Sequence, residues 1–266
     1  MLHSLLVTLL FLGLAAPASA QSISVIDSDY SVGKQVSGSV RIGNAHVALP
    51  PGSFTVAVFN ESESTGSAAI HSKLHLAWLV QTVDGRLNRA ILIESNTGNS
   101  LVGGWNRNKE ICDRKDIHHN DSDQNYSIKD THCWSVNHYV LGRSSSTSKT
   151  TTAFYDYTKD MRRPVAALVN AFYLVKGASF LRALYYLNPE IEGFDPAKQD
   201  WRTNDWHMDR VSGDPKRSAY VASVKAEGEV LSKLYKSGFA FAGSSPVGDA
   251  GQMVASAVQV NPPSRR

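Results

Sequence analysis

Leu74-His75-Leu76-Ala77-Trp78-Leu79-Val80-Gln81-Thr82-Val83-Asp84-Gly85-Arg86-Leu87-Asn88-Arg89-Ala90-Ile91-Leu92-Ile93-Glu94 is the stretch on which the fold turns. Two apolar runs, Leu74 to Val83 and Leu87 to Glu94, flank Asp84-Gly85. An Asp-Gly pair accepts the positive φ angles of a tight turn whose twist matches paired strands. Between two such runs it predicts an antiparallel hairpin.

Upstream, the same signature recurs. Val36, Gly38, Val40 and Ile42 alternate with Ser37, Ser39 and Arg41. Pro50-Pro51-Gly52 marks a turn, and Phe54 to Phe59 resumes an alternating run. Asn60 to Ser67 is polar and contains Gly66, which reads as a loop. The first half is therefore read as at least four antiparallel strands.

Downstream, Asn96 to Asp130 is long and polar, and reads as a loop. Cys133 to Leu141 reads as a strand with Trp134, Val136, His138 and Val140 on one face. Ser144 to Thr152 reads as a Ser/Thr-rich hinge or loop. The segment Pro164 to Pro189 supports two readings. Val165, Leu168, Val169 and Phe172 have helical spacing, whereas Val165, Ala167, Val169, Ala171, Tyr173 and Val175 alternate. The second pattern predicts a hairpin turning at Lys176-Gly177; the first leaves a helix over 164–176 as the alternative. Asp214 and Pro215 form a helix start, and Tyr220, Val224, Leu231, Leu234 and Tyr235 fall on one stripe. Gly238 ends that helix. Gly228 inside it costs about 1 kcal/mol relative to Ala, and points to close packing against a sheet. The fold class is α+β: a mainly antiparallel β body with hairpins, packed by one long C-terminal α-helix.

The N-terminus carries an address. Leu5 to Leu14 is apolar, and Pro17 precedes Ala18-Ser19-Ala20, a small-x-small cleavage site. The run is shorter than the roughly 20 residues a membrane span needs. Residues 1–20 are read as a cleaved signal peptide, 21–241 as a single exported α+β domain, and 242–266 as a flexible C-terminal tail. No transmembrane segment is expected in the mature chain. The formal net charge of +3 is too mild to argue for nucleic acid.

In an exported chain the two cysteines, Cys112 and Cys133, most simply pair. Zinc is the lesser alternative, because no CxxC spacing is present. The bridge would tether the polar loop 112–133. That loop holds Asp121, Asp123 and Asn125, whose spacing resembles a calcium loop. Tyr126 stands where such a loop needs Gly, and His132 where it needs Glu. His118 and His119 could ligate a metal only by converging with His132 or His138 across the bridge. His71 and His75 lie in a strand-forming segment, where residues four apart share a face at about 13 Å. No metal site is assigned, and no cofactor is expected.

The second candidate site is Trp201-Arg202-Thr203-Asn204-Asp205-Trp206-His207-Met208-Asp209. Trp201 and Trp206 offer faces for stacking, and Asp205, His207 and Asp209 offer polar contacts. A catalytic version makes His207 a base oriented by an Asp. A structural version has both Trp sealing the end of the sheet and His207 capping a backbone group. Nucleophile and phosphate-loop motifs are absent from the sequence. The reading is a non-enzymatic exported binding or interaction protein, whose partner is a small molecule, a glycan or a protein. The alternative is a metal-assisted or His-based hydrolase, secreted or periplasmic.

Overall fold

The computed structural model describes residues 24–26, 32–65, 71–98, 105–125, 130–141 and 148–241. The signal segment 1–20 and the tail 242–266 lie outside the described residues. Eleven strands and four α-helices are defined among them. Strands β1 (Ser24–Ile26), β3 (Ser39–Ile42) and β4 (Ala45–Ala48) form a small sheet in the order β1-β3-β4. The larger sheet has eight strands: β2 (Gln35–Val36), β5 (Phe54–Thr65), β6 (His71–Val83), β7 (Arg86–Thr97), β8 (His119–Asn125), β9 (Asp130–Val140), β10 (Ala166–Lys176) and β11 (Ser179–Leu187). Its order is β2-β5-β6-β7-β11-β10-β9-β8, and every pair is antiparallel. The helices are α1 (Lys109–Cys112), α2 (Lys149–Tyr157), α3 (Met208–Val211) and α4 (Pro215–Lys236).

The decisive hairpin forms as its residues dictate. Val83 pairs with Arg86, and Asp84 and Gly85 take φ of 50° and 70°, the doubly positive geometry of a type I′ turn. The ambiguous segment resolves into strands: β10 and β11 pair from Lys176↔Ser179 to Leu168↔Leu187, around Gly177 at φ 58°. The helical alternative for 164–176 fails because β10 lies deep in the sheet, between β11 and β9, with both faces buried. A strand buried on both sides is nearly continuously apolar and loses its polar alternation; Asn170 is the polar exception here.

Four other expectations are corrected. Val36 to Ile42 is two strands in two sheets, broken at Gly38 (φ 71°). The polar run after Phe59 stays extended to Thr65, because β6 pairs with it as far as Thr65↔His71. The long polar loop contains α1 and the edge strand β8, paired with β9 from His119↔Val136 to Asn125↔Asp130. Part of the expected Ser/Thr hinge is α2, which places Phe154 on Trp78 with ring centroids 4.0 Å apart.

Both faces of the large sheet are covered. On one, the small sheet and α4 enclose Phe54, Leu79, Ile91, Phe172 and Tyr185. On the other, α1, α2 and the disulfide cover Trp78, Leu87, Val169 and Tyr186. Cys112 and Cys133 are bonded, with Cα atoms 5.1 Å apart. The bridge fastens α1 to β9, inside the second core. Helix α4 is built as its sequence specifies. Asp214 accepts from the N–H groups of Lys216 and Arg217 at 2.9 and 3.1 Å, and Gly238 takes φ 92° just beyond its end. Val224, Leu231, Leu234 and Tyr235 are buried against the sheet.

Candidate functional site

The Trp201–Asp209 segment folds through its own short polar side chains, which favour local turns over regular structure. Asp200 accepts from the Thr203 N–H at 2.8 Å. Asn204 is buried; it accepts from the Trp206 N–H at 2.9 Å and donates to the Lys198 carbonyl. Asp205 accepts from the Lys198 N–H at 3.3 Å. Trp206 is only 1% exposed. It packs against Phe194 and Tyr220, with ring centroids at 4.8 and 5.6 Å. A ring so enclosed offers no face to a ligand, and Trp206 here seals the core under α4.

Trp201, His207 and Asp209 do come together, and they meet His118 and His138. Trp201 stacks on His138 with centroids 4.8 Å apart, meets His207 edge-on at 4.8 Å, and has the Arg114 guanidinium 4.4 Å over its ring. The His138 Nε2–H donates to the Trp201 carbonyl at 3.0 Å. The His118 Nε2–H donates to the Trp206 carbonyl at 2.9 Å. His207 caps α3, its Nδ1 accepting from the Asp209 N–H at 3.4 Å. Asp209 Oδ2 lies 3.5 Å from the same nitrogen, so the His–Asp pair that a general base requires is present in outline. Nδ1, the nitrogen an orienting Asp would bind as N–H, instead accepts the cap bond, which puts the neutral ring's proton on Nε2, the nitrogen a base needs free. His138 on β9 and His118 just before β8 thus bond to the segment's carbonyls, and burial pushes His118 down from the ordinary histidine range and His138 down to about 4.

The Asp121, Asp123 and Asn125 run sits on β8 and is extended, so Asp121 and Asp123 share one face and cannot wrap a cation as a tight loop does. Asp121 is held by Lys236 at the end of α4, at 2.8 Å. That contact keeps its carboxyl below the usual range. His75 is spent on Glu61, at 3.0 Å. Among the described residues, no three His, Cys, Asp or Glu side chains are placed to share one metal ion.

A feature that sequence reasoning missed lies at the far end of β9. A cavity of about 350 Å³ opens between the β8–β9 and β10 strand ends and the C-terminus of α4. Its floor is apolar, from Leu174, Val175, Tyr235 and Phe241, and its rim carries Asp123, Asp130, Lys176 and Lys236. His132 lines it, and neither of its ring nitrogens has a hydrogen-bond partner. Burial and the nearby Lys236 push that imidazole down to about 4. His132 was visible in the sequence as a candidate ligand. Its apolar companions were not, because they come from β10 and from beyond α4, more than forty residues away. A wider groove of about 570 Å³ runs beside the disulfide. There Arg107 and Arg114 are already bonded to Asp113 and Asp116, which leaves less of their charge for a ligand.

No protein family, curated protein or solved structure matches the chain.

Proposed function

We propose that the chain is an exported, non-enzymatic binding protein, and that the cavity beside His132 receives a small amphiphilic molecule. The observation that carries this reading is the cavity's make-up. An apolar floor, a rim of both charges and an imidazole with two unanswered nitrogens are combined in a space of ligand size. Small-molecule sites have this composition: mostly apolar walls with a few convergent polar groups. A buried polar atom without a partner costs about 1–3 kcal/mol, and a ligand that hydrogen-bonds His132 would recover part of it. The volume suits a small molecule better than a glycan chain or a protein surface.

Export is supported by the signal-like N-terminus together with the formed disulfide, since such bonds persist in oxidising compartments. No helix among the described residues is long and apolar enough to cross a membrane. A binding role is preferred to hydrolysis because His207, the best-placed base, is engaged as a helix cap. The reading is tested by a thermal-shift screen of small amines, carboxylates and amino acids, repeated on His132→Ala. Compounds that raise the melting temperature of the wild type and not of the variant support it. Equal shifts in both proteins, or none in either, reject it.

A further inference from the structure

Of the three imidazoles around segment 201–209, His138 and His207 have surroundings that specify the neutral ring. His138 donates through Nε2 to the Trp201 carbonyl, which leaves Nδ1 bare. That Nδ1 is buried and has no partner. A proton arriving there would become a buried N–H with no acceptor, and the ring would become a buried cation. His207 accepts through Nδ1 from the Asp209 N–H. A proton on that nitrogen abolishes the bond and turns the cap of α3 into a repulsive contact between two donors. His118 donates through Nε2 to the Trp206 carbonyl.

The rings are also crowded by one another. His138 lies 6.5 Å from His118 and 5.7 Å from His207, centroid to centroid. Arg114 adds a fixed positive charge over Trp201, 4.4 Å from its ring. The nearby carboxylates do little to offset this. Asp116 is paired with Arg114 at 2.7 Å. Asp209 is largely exposed and lies 3.5 Å from His207. A second proton in the cluster is therefore opposed by the first, and a buried unpaired charge is strongly disfavoured.

From this geometry we infer that the His118–His138–His207 cluster is an acid-released clasp. Protonation detaches Trp201 and the start of α3 from β9, while Trp206, the sheet and the disulfide stay in place. The consequences differ across the fold. On its β9 side the segment is held by two imidazole–carbonyl bonds and the Trp201 stack, whereas Trp206 stays anchored in the core under α4, so release is confined to Trp201 and the start of α3. The sheet beneath is continuous, with β9 paired on both sides. The released segment would uncover Trp201 and the adjoining face of β9, a surface presented only in acid. Histidine clusters act as switches in this way because small environmental shifts carry their titration across mildly acidic pH.

The test is hydrogen exchange followed by mass spectrometry on the intact chain, from pH 7 to pH 4, with rates corrected for the intrinsic effect of pH. The expected result is at least a tenfold loss of protection in peptides covering 198–212 between pH 6.5 and 4. Peptides from β10 and β11 should keep theirs. His138→Gln retains an amide donor for the Trp201 carbonyl and cannot titrate, so its loss of protection should shift to lower pH or disappear. Protection at 198–212 that is unchanged at pH 4 would overturn the clasp. So would loss in step with β10 and β11, or a transition in His138→Gln at the wild-type pH. If His138→Gln does not fold, the wild-type comparison of 198–212 with β10 decides alone.

Discussion

Gly228 on α4 approaches Asn170 on β10 so closely that a methyl group on the glycine would overlap the carboxamide oxygen and lie 2.6 Å from Trp134 Nε1. The carboxamide cannot yield. Its Nδ2 donates to the Val224 carbonyl at 2.9 Å, and its oxygen accepts from Trp134 Nε1 at 3.1 Å. Sheet and helix are thus joined by a buried polar link that only a glycine admits. Gly228→Ala should gain about 1 kcal/mol in helix propensity and lose more than that. Overpacking costs roughly 1–3 kcal/mol, and a broken buried hydrogen bond costs about 1–3 more. A fall in the urea midpoint is the expected outcome, even though the substitution favours an isolated helix.

Arg89 on β7 and Glu227 on α4 form a two-pronged ion pair at 2.5 and 3.0 Å, with the carboxylate almost fully buried. Breaking a buried pair from one side leaves a charge without compensation. Glu227→Gln should therefore destabilise by about 3–5 kcal/mol. The double variant Arg89→Met/Glu227→Leu should recover most of that loss, as chemical denaturation of the three proteins would show.

The bond between Cys112 and Cys133 encloses a 21-residue separation. Its removal by Cys112→Ser/Cys133→Ser should cost on the order of 3 kcal/mol. The loss should be felt first in α1 and the segment before β8, because that segment has few other apolar anchors. Limited proteolysis should cut the double variant between residues 105 and 118 sooner than the wild type.

His132 and His138 are both neutral in the folded chain, with burial as the main cause, and both titrate at about 4 instead of 6.5. Between those values the unfolded chain binds more protons than the folded one, so stability falls as pH drops from 6.5 toward 4. Urea midpoints across this window should decline, and His132→Gln should flatten the slope. An equally steep decline in the variant would assign the acid sensitivity to other groups.

Local signals carried much of this fold. Asp84-Gly85 fixes its hairpin because two consecutive residues tolerate positive φ. Asp214-Pro215 and Gly238 mark the ends of α4 because caps and terminators act within one turn. Long-range pairing was not legible. Nothing in Asn60 to Thr65 or His119 to Asn125 is apolar enough to announce a strand, and both become strands because a neighbour supplies the hydrogen bonds. The candidate site divides in the same way. Trp201, His207 and Asp209 do converge, as their closeness in sequence suggests. Trp206, six residues past Asp200, is taken by the core. His118 and His138 join the cluster only because β9 runs beneath it. The cavity at His132 needs residues from β9, β10, α4 and the turn after it, a convergence that no sequence window contains.

The binding reading is tested most directly by amide chemical shifts of the isotope-labelled protein as hexanoate, phenethylamine and phenylalanine are added at millimolar concentration. Saturable shifts caused by at least one of them, confined to Thr131–His132, Leu174–Lys176 and Tyr235–Phe241, are the predicted result. Shifts centred on 201–209 or on the disulfide groove, or no saturable shift with any of the three, would contradict it.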